Sequence, residues 1–311
     1  MRHFLILLSL AVFLLVAGCS EPASTDSNAK SSGRRPKITA TTGYLGDLAR
    51  VLAGNEAEVV VLMGPGVDPH TYRATPSDLS NLRDADVVLA HGLGLEGRLM
   101  EAIEGLRRQG RKVIMVQDVL KPDDLIKADG AGHSVDPHVW FSPRLWIKAG
   151  EGIQRVLTAA APNIRGSESR LAEWVAEVEK VEEESKAEFS KIPKESRVLM
   201  TAHDAFAYLG REFEVEVHGI QGISTATEAS AASISNLAKL AIDKSVRAVF
   251  VETSVSPSTI EALKKAVEAK GRSIKLGGTL FSDALGDEGT PEGTYVGALR
   301  HNLKTIAEAL K

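Results

Sequence analysis

From Lys37 onward, short apolar runs alternate with longer stretches of helical spacing. The runs at 38–41, 59–63, 87–90 and 112–116 are rich in Val, Ile, Leu and Ala, as expected of buried strands. Between them, 44–52, 77–82 and 96–108 read as helices. Ser142-Pro143 is a strong helix start, because Ser can cap free N–H groups and Pro suits the first turn. That helix is expected to run to Ala160. Such alternation predicts an α/β fold, with mostly parallel sheet covered by helices.

The pattern then changes. Residues 167–189 contain no Gly or Pro and are dense in Glu, Lys and Ala, while Leu171, Val175, Val178 and Phe189 keep an apolar stripe. At 1.5 Å per residue this helix spans roughly 35 Å, about the height of a small domain. After Pro193 the alternation resumes, with strands expected at 197–201, 214–217, 248–251 and 273–276. Helices are expected at 205–212, 229–244, 257–270 and 295–310. The reading is two βα lobes with parallel-type sheets, 37–166 and 193–311, joined by one long rigid helix at 167–192.

The first residues set the compartment. Arg2 precedes an apolar run at 4–16, broken only by Ser9. That run is short for a membrane span of about 20 residues and suits a signal peptide over 1–18. It ends in Val16-Ala17-Gly18-Cys19, which resembles a lipobox, with Cys19 as the lipidation site. Residues 19–36 then read as a lipidated tether, polar and without an apolar period. These features predict an extracytoplasmic protein, in the periplasm or at the cell surface, held to the membrane through its lipid.

Cys19 is the single cysteine, so an internal disulfide and a multi-thiolate zinc site are both excluded. Aromatic residues make up 5%, which argues against an aromatic-lined sugar or base cleft. The net charge is −4 and no Lys/Arg run stands out, so nucleic acid is not an expected partner. Any metal site must therefore use His and carboxylates.

The chain has eight histidines. Two share a tripeptide, Asp68-Pro69-His70 and Asp136-Pro137-His138. Proline stiffens the backbone beside each imidazole, and metal ligands benefit from positions set in advance. His203 follows the strand expected at 197–201, where ligands bind in open α/β sheets. Asp283, in Leu280-Phe281-Ser282-Asp283-Ala284, also follows a strand. Three imidazoles and a carboxylate make a plausible four-coordinate zinc site.

The sequence resembles the TroA-like metal-binding lipoproteins of ABC importers, cluster A-I (or A-9) solute-binding proteins. The resemblance covers nearly all of 37–311. It rests on Met63-Gly64-Pro65-Gly66-Val67-Asp68-Pro69-His70-Thr71-Tyr72, Asp136-Pro137-His138-Val139-Trp140 and Ala202-His203-Asp204-Ala205-Phe206. It continues through Gln221-Gly222-Ile223-Ser224-Thr225 and Gly277-Gly278-Thr279-Leu280-Phe281-Ser282-Asp283-Ala284, and ends near Gly289-Thr290-Pro291-Glu292-Gly293-Thr294-Tyr295. It implies two lobes with the metal between them, ligands at His70, His138, His203 and Asp283, and Zn2+ or Mn2+ as cargo. It also implies an ABC permease as partner and a monomeric, non-enzymatic protein.

Manganese- and iron-type relatives often carry glutamate at the third ligand position, where this chain has His203. Many zinc relatives carry a His-rich loop before the second ligand, where this chain has only His133. Mixed zinc/manganese specificity therefore stays open, as does a manganese/iron-specific binder. A zinc hydrolase needs an open coordination position that Asp283 would fill, and a surface adhesin has no direct support in the residues. His91 ends a strand on the same side as the site, Glu252 could either support the site or cap the helix expected from 257, and His218 and His301 read as structural.

Overall fold

The computed structural model describes residues 34–128 and 134–311. The signal segment, Cys19 and His133 lie outside the described residues. The first lobe runs β1 (Lys37–Thr42), α1 (Gly43–Ala53), β2 (Glu58–Met63), α2 (Pro76–Asp84), β3 (Val87–Ala90), α3 (Leu99–Arg108), β4 (Val113–Met115) and α4 (Val116–Val119). Next come α5 (Pro143–Ala160) and the 24-residue α6 (Ser167–Ser190). The second lobe has β5 (Val198–His203), α7 (Ala207–Phe213), β6 (Glu216–Gln221), α8 (Ala231–Asp243), β7 (Ala248–Glu252), α9 (Ser258–Glu268), β8 (Lys275–Leu280) and α10 (Tyr295–Leu310). Among the described residues no helix is long and apolar enough to cross a membrane.

Each lobe holds a four-stranded, all-parallel sheet, ordered β2-β1-β3-β4 and β6-β5-β7-β8. The winding is the same in both. The strand order reverses between β1 and β3, and between β5 and β7, which opens a crevice at the carboxyl ends of those pairs.

Local chemistry explains the boundaries. Ser142 caps α5 by accepting from Leu145 N, with Pro143 in the first turn. Thr75 and Asp78 form a reciprocal capping box on α2, with Pro76 behind it. Along α6, Leu171, Trp174, Val178, Val181 and Phe189 are buried. Each such burial stabilises by about 1.5–3 kcal/mol. Val175 is only half-buried, so the stripe passes through Trp174 and Val181 instead.

The largest buried cluster is shared between the lobes. It runs from Ile38 and Leu89 through Trp140, Trp146, Trp174 and Val178 to Leu199, Phe250, Tyr295 and Leu303. Two smaller clusters lie on the outer faces of the sheets, one with Met63, Val88, Ile103 and Met115, the other with Met200, Val249, Ile260 and Leu263. The inner faces of the two sheets therefore close on a common apolar layer built from α1, α5, α6 and α10.

Several expected boundaries shift. The strand expected at 112–116 yields Val116 to α4, and the helix expected from 96 begins at Leu99. The strand expected at 214–217 is displaced to Glu216–Gln221, and that expected at 273–276 runs as Lys275–Leu280. Both strands carry glycines that look like breakers. Gly219 instead lies against the 203–204 backbone, where a Cβ would stand 2.4 Å from Asp204 N. Gly277 faces the Phe250 ring, where a Cβ would stand 2.5 Å from Cε1. These glycines permit close approach inside a strand rather than end it.

Candidate metal centre

The four residues singled out in the sequence meet at the carboxyl ends of the strands. His70 lies in the loop after β2. Asp68 Oδ1 accepts from His70 N at 2.9 Å, and its Oδ2 accepts from Thr71 Oγ1 at 3.0 Å and from Thr225 Oγ1 of the second lobe at 2.5 Å. His138 sits at the second tripeptide, where Asp136 Oδ1 accepts both from His138 N at 2.9 Å and from its ring Nδ1 at 2.7 Å. His203 is the last residue of β5, two residues beyond the expected strand end. Glu252, the last residue of β7, accepts from His203 N at 2.9 Å and takes its Nδ1 at 2.5 Å. Asp283 lies three residues past β8.

The donor atoms converge. His70 Nε2 and His138 Nε2 are 3.3 Å apart. Asp283 Oδ2 stands 3.3 Å from His203 Nε2 and 3.7 Å from His70 Nε2, and Oδ1 stands 3.5 Å from His138 Nε2. One ligand atom from each of the four lies within 4.8 Å of all the others. A tetrahedron with bonds of about 2.0–2.1 Å has edges of about 3.3 Å, so these separations fit a small divalent ion with little movement. All four are buried, His70 the least at 9% exposure. Both Asp283 oxygens and His203 Nε2 are buried without a well-directed hydrogen bond, although burial normally demands one. A cation among them would satisfy all three atoms.

Charge supports the same conclusion. Burial by itself would lower the His203 pKa, but Glu252 and Asp283 outweigh it and hold the imidazole well above its usual value. Burial pushes Asp283 up, yet the surrounding His203, His138 and His70 rings hold its carboxyl well below the usual carboxylate range. The two carboxylates that flank His203 thus favour its cationic form. The carboxylates on the two Nδ1 atoms orient the rings so that Nε2 faces inward, as outer partners of metal-ligating histidines do.

The backbone around Asp283 is also held. Ser282 O accepts from Trp140 Nε1 at 2.9 Å and Tyr44 Oη at 3.0 Å, both from the first lobe. Asn302 of α10 brackets Phe281, accepting from its N at 2.9 Å and donating to its O at 2.8 Å. In the reverse direction, Tyr208 of the second lobe donates to Asp136 O at 2.9 Å.

The remaining histidines separate by environment. His91 is buried, stacked on Trp146 at 5.6 Å, and its Nε2 contacts Thr42 Oγ1 at 2.9 Å. His218 pairs with Glu216 and His301 contacts Thr279 O, both away from the cluster. The sequence reading left undecided whether Glu252 supports the site or caps α9, and the geometry gives it His203. It gave no role to Asp136 beyond the tripeptide, and it did not single out Tyr44, Trp140 or the buried Glu96. For Asp136 the two-residue spacing before His138 was the available signal. The others are brought in by distant segments.

The family model for the zinc-uptake complex component A, periplasmic (ZnuA) matches residues 38–309. The chain belongs to this family. The manganese-binding lipoprotein MntA of Bacillus subtilis is 40% identical over 312 residues, covering 100% of both chains. The zinc-binding protein TroA of Treponema pallidum is 39% identical over 277 residues, 89% of each. The solved structure of that periplasmic zinc-binding protein superposes with a TM-score of 0.85, covering 89% of this chain and 99% of the other. An iron ABC transporter substrate-binding lipoprotein, MtsA of Streptococcus pyogenes, is 30% identical over 310 residues, 97% of this chain and 96% of its own. Relatives named for three different metals thus resemble this chain along most of its length, so the metal must be argued from the donor set.

Proposed function

We propose that this protein captures Zn2+ or Mn2+ outside the cytoplasm and hands it to the permease of an ABC importer. The observation that carries this reading is the buried meeting of three inward-facing imidazoles with an anionic carboxylate. We assign His70, His138, His203 and Asp283 as the ligands. Segments 37–166 and 193–311 act as the two lobes, with 167–192 as the link between them, so an ion bridges both. The protein acts as a monomer, anchored through Cys19, and the relatives named lipoproteins support that anchoring. It is a carrier rather than an enzyme, because Asp283 occupies the position a reactive water would need.

Three imidazoles and one carboxylate favour a borderline ion, and zinc accepts four ligands without strain. Zinc should therefore bind more tightly than manganese in vitro, whichever ion the cell supplies. The test is thermal unfolding and competition calorimetry on metal-free protein. Metal should raise the Tm by mass action, and His70→Ala, His138→Ala and Asp283→Ala should each abolish most of that rise. Full retention of the rise in all three would refute the ligand assignment. For the anchor, Cys19→Ala should yield protein that is either uncleaved or no longer lipidated, read by mass spectrometry together with detergent phase partitioning. Wild-type protein with an unmodified Cys19 would refute that part.

A further inference from the structure

Asp283 belongs by chain position to the second lobe, but the peptide that aims it is held by the first. Ser282 O, the carbonyl immediately before Asp283, accepts from Tyr44 Oη at 3.0 Å and Trp140 Nε1 at 2.9 Å. Tyr44 Oη also reaches Phe281 O at 3.3 Å. The two rings stack on each other at 4.9 Å and 22°, and both are almost fully buried. Tyr44 is wedged edge-on against Trp146 and Tyr295, at 6.4 and 6.3 Å. Trp140 also lies edge-on to the His138 ring at 5.3 Å. One aromatic pair therefore backs a histidine of the first lobe and fixes the backbone of the carboxylate opposite.

The orientation of that carboxylate matters. Its two oxygens face different imidazoles, Oδ1 towards His138 and Oδ2 towards His203 and His70. The direction of the Asp283 side chain follows the plane of the 282–283 peptide, which the two donors fix. Without them the segment is retained by Asn302 and by Ser254, whose Oγ lies 2.8 Å from Ser282 Oγ, and both belong to its own lobe. The carboxylate would then be free to turn one oxygen away from the imidazoles.

We propose that Tyr44 and Trp140 are positioning residues that keep both Asp283 oxygens turned to the ion, and so tune the balance between manganese and zinc. The proposal rests on the ligand set assigned above. Zinc is satisfied by four donors with one carboxylate oxygen. Manganese favours oxygen donors and higher coordination, so the second oxygen is worth more to it. Tyr44 and Trp140 contribute no donor atom themselves, and their effect passes through the Ser282 carbonyl.

The experiment uses metal-free wild type, Tyr44→Phe, Trp140→Phe and Asp283→Ala. Affinities for Mn2+ and Zn2+ are measured by competition, and bound Co2+ is read by its visible absorption, which intensifies as coordination falls towards four. Loss of one buried hydrogen bond should weaken manganese about fivefold in Tyr44→Phe, with zinc changed less than twofold and the cobalt band strengthened. Trp140→Phe should act in the same direction. Because the two metals are compared on the same folded protein, a lowered Tm in either variant does not mimic the result. Equal weakening of both metals, or unchanged affinities with an unchanged cobalt spectrum, would overturn the proposal. Wild-type affinities in Asp283→Ala would instead overturn the ligand assignment beneath it.

Discussion

The two lobes wind their strands in the same order, yet they use equivalent positions differently. In the second lobe the strand order reverses between β5 and β7, and the last residues of those strands, His203 and Glu252, are hydrogen-bonded to each other. In the first lobe the corresponding strands are β1 and β3, and Thr42 and His91 meet there at 2.9 Å. Each crevice thus holds one histidine. His203 has a carboxylate behind it and an anion in front, so its pKa is raised. His91 has a hydroxyl behind it and two tryptophans against it, and burial, helped by the nearby His138, brings its pKa down to about 3. Shared winding decides where a histidine can stand. The partner on its far ring nitrogen and the wall beside it decide whether it can serve a cation.

The contrast is tested most strongly by removing each histidine in turn. His203→Ala should abolish most of the metal-dependent Tm rise. His91→Phe should keep the rise, while the lost hydrogen bond and altered packing cost about 1–3 kcal/mol of fold stability. A His91→Phe protein that no longer responds to metal, with His203→Ala still responding, would invert the comparison. A smaller effect is expected from the residues behind the four converging side chains. Glu252→Gln and Asp136→Asn should each weaken metal binding by about 10–100-fold, the usual range for outer partners of metal histidines. Asp68→Asn should do less, because Asp68 holds the His70 backbone N–H and Thr225, whereas Asp136 also accepts from the His138 ring. Calorimetry on the three variants would rank them, and Asp68→Asn weakening binding most would contradict the geometry.

The smallest effect concerns pH and the first lobe alone. Burial pushes the Glu96 carboxyl up to about 7, against the lowering effect of hydrogen bonds from His91 N, Thr41 Oγ1 and Gly92 N. Its ordinary value is 4.5. Between these values the folded state binds more protons than the unfolded state, so stability falls as pH rises. Asp47, pushed up to about 6 by burial, adds the same sign. His91, whose folded value of about 3 lies below its ordinary 6.5, contributes the opposite sign over part of that range. The Glu96 contribution is therefore read as a difference: relative to Glu96→Gln, the wild-type denaturant midpoint of metal-free protein should decline between pH 4.5 and 7. The same slope in both proteins would remove Glu96 from the account.

Much of the fold was legible in the chain because its signals are local. The α5 start at Ser142-Pro143, the unbroken helix over 167–189 and the alternation of short runs depend on neighbours a few residues away. Strand ends were less legible, since Gly219 and Gly277 look like breakers until their close contacts are known. The four converging residues could be selected because the tripeptides and strand-end positions mark them, and the resemblance to a known family assigns the same four.

What the chain could not disclose was everything that depends on pairs far apart in sequence. Glu252 reaches His203 across 49 positions and Tyr44 reaches Ser282 across 238. No local pattern encodes which carboxylate backs which imidazole, or that the loop of Asp283 is held from the opposite lobe. The chemical kind of the site follows from the residue types at hand, three imidazoles and a carboxylate without thiols. Their spacing, protonation and aim are set only when two sheets close on a shared core, because burial and distance enter the energies of charges and hydrogen bonds through three-dimensional neighbours alone.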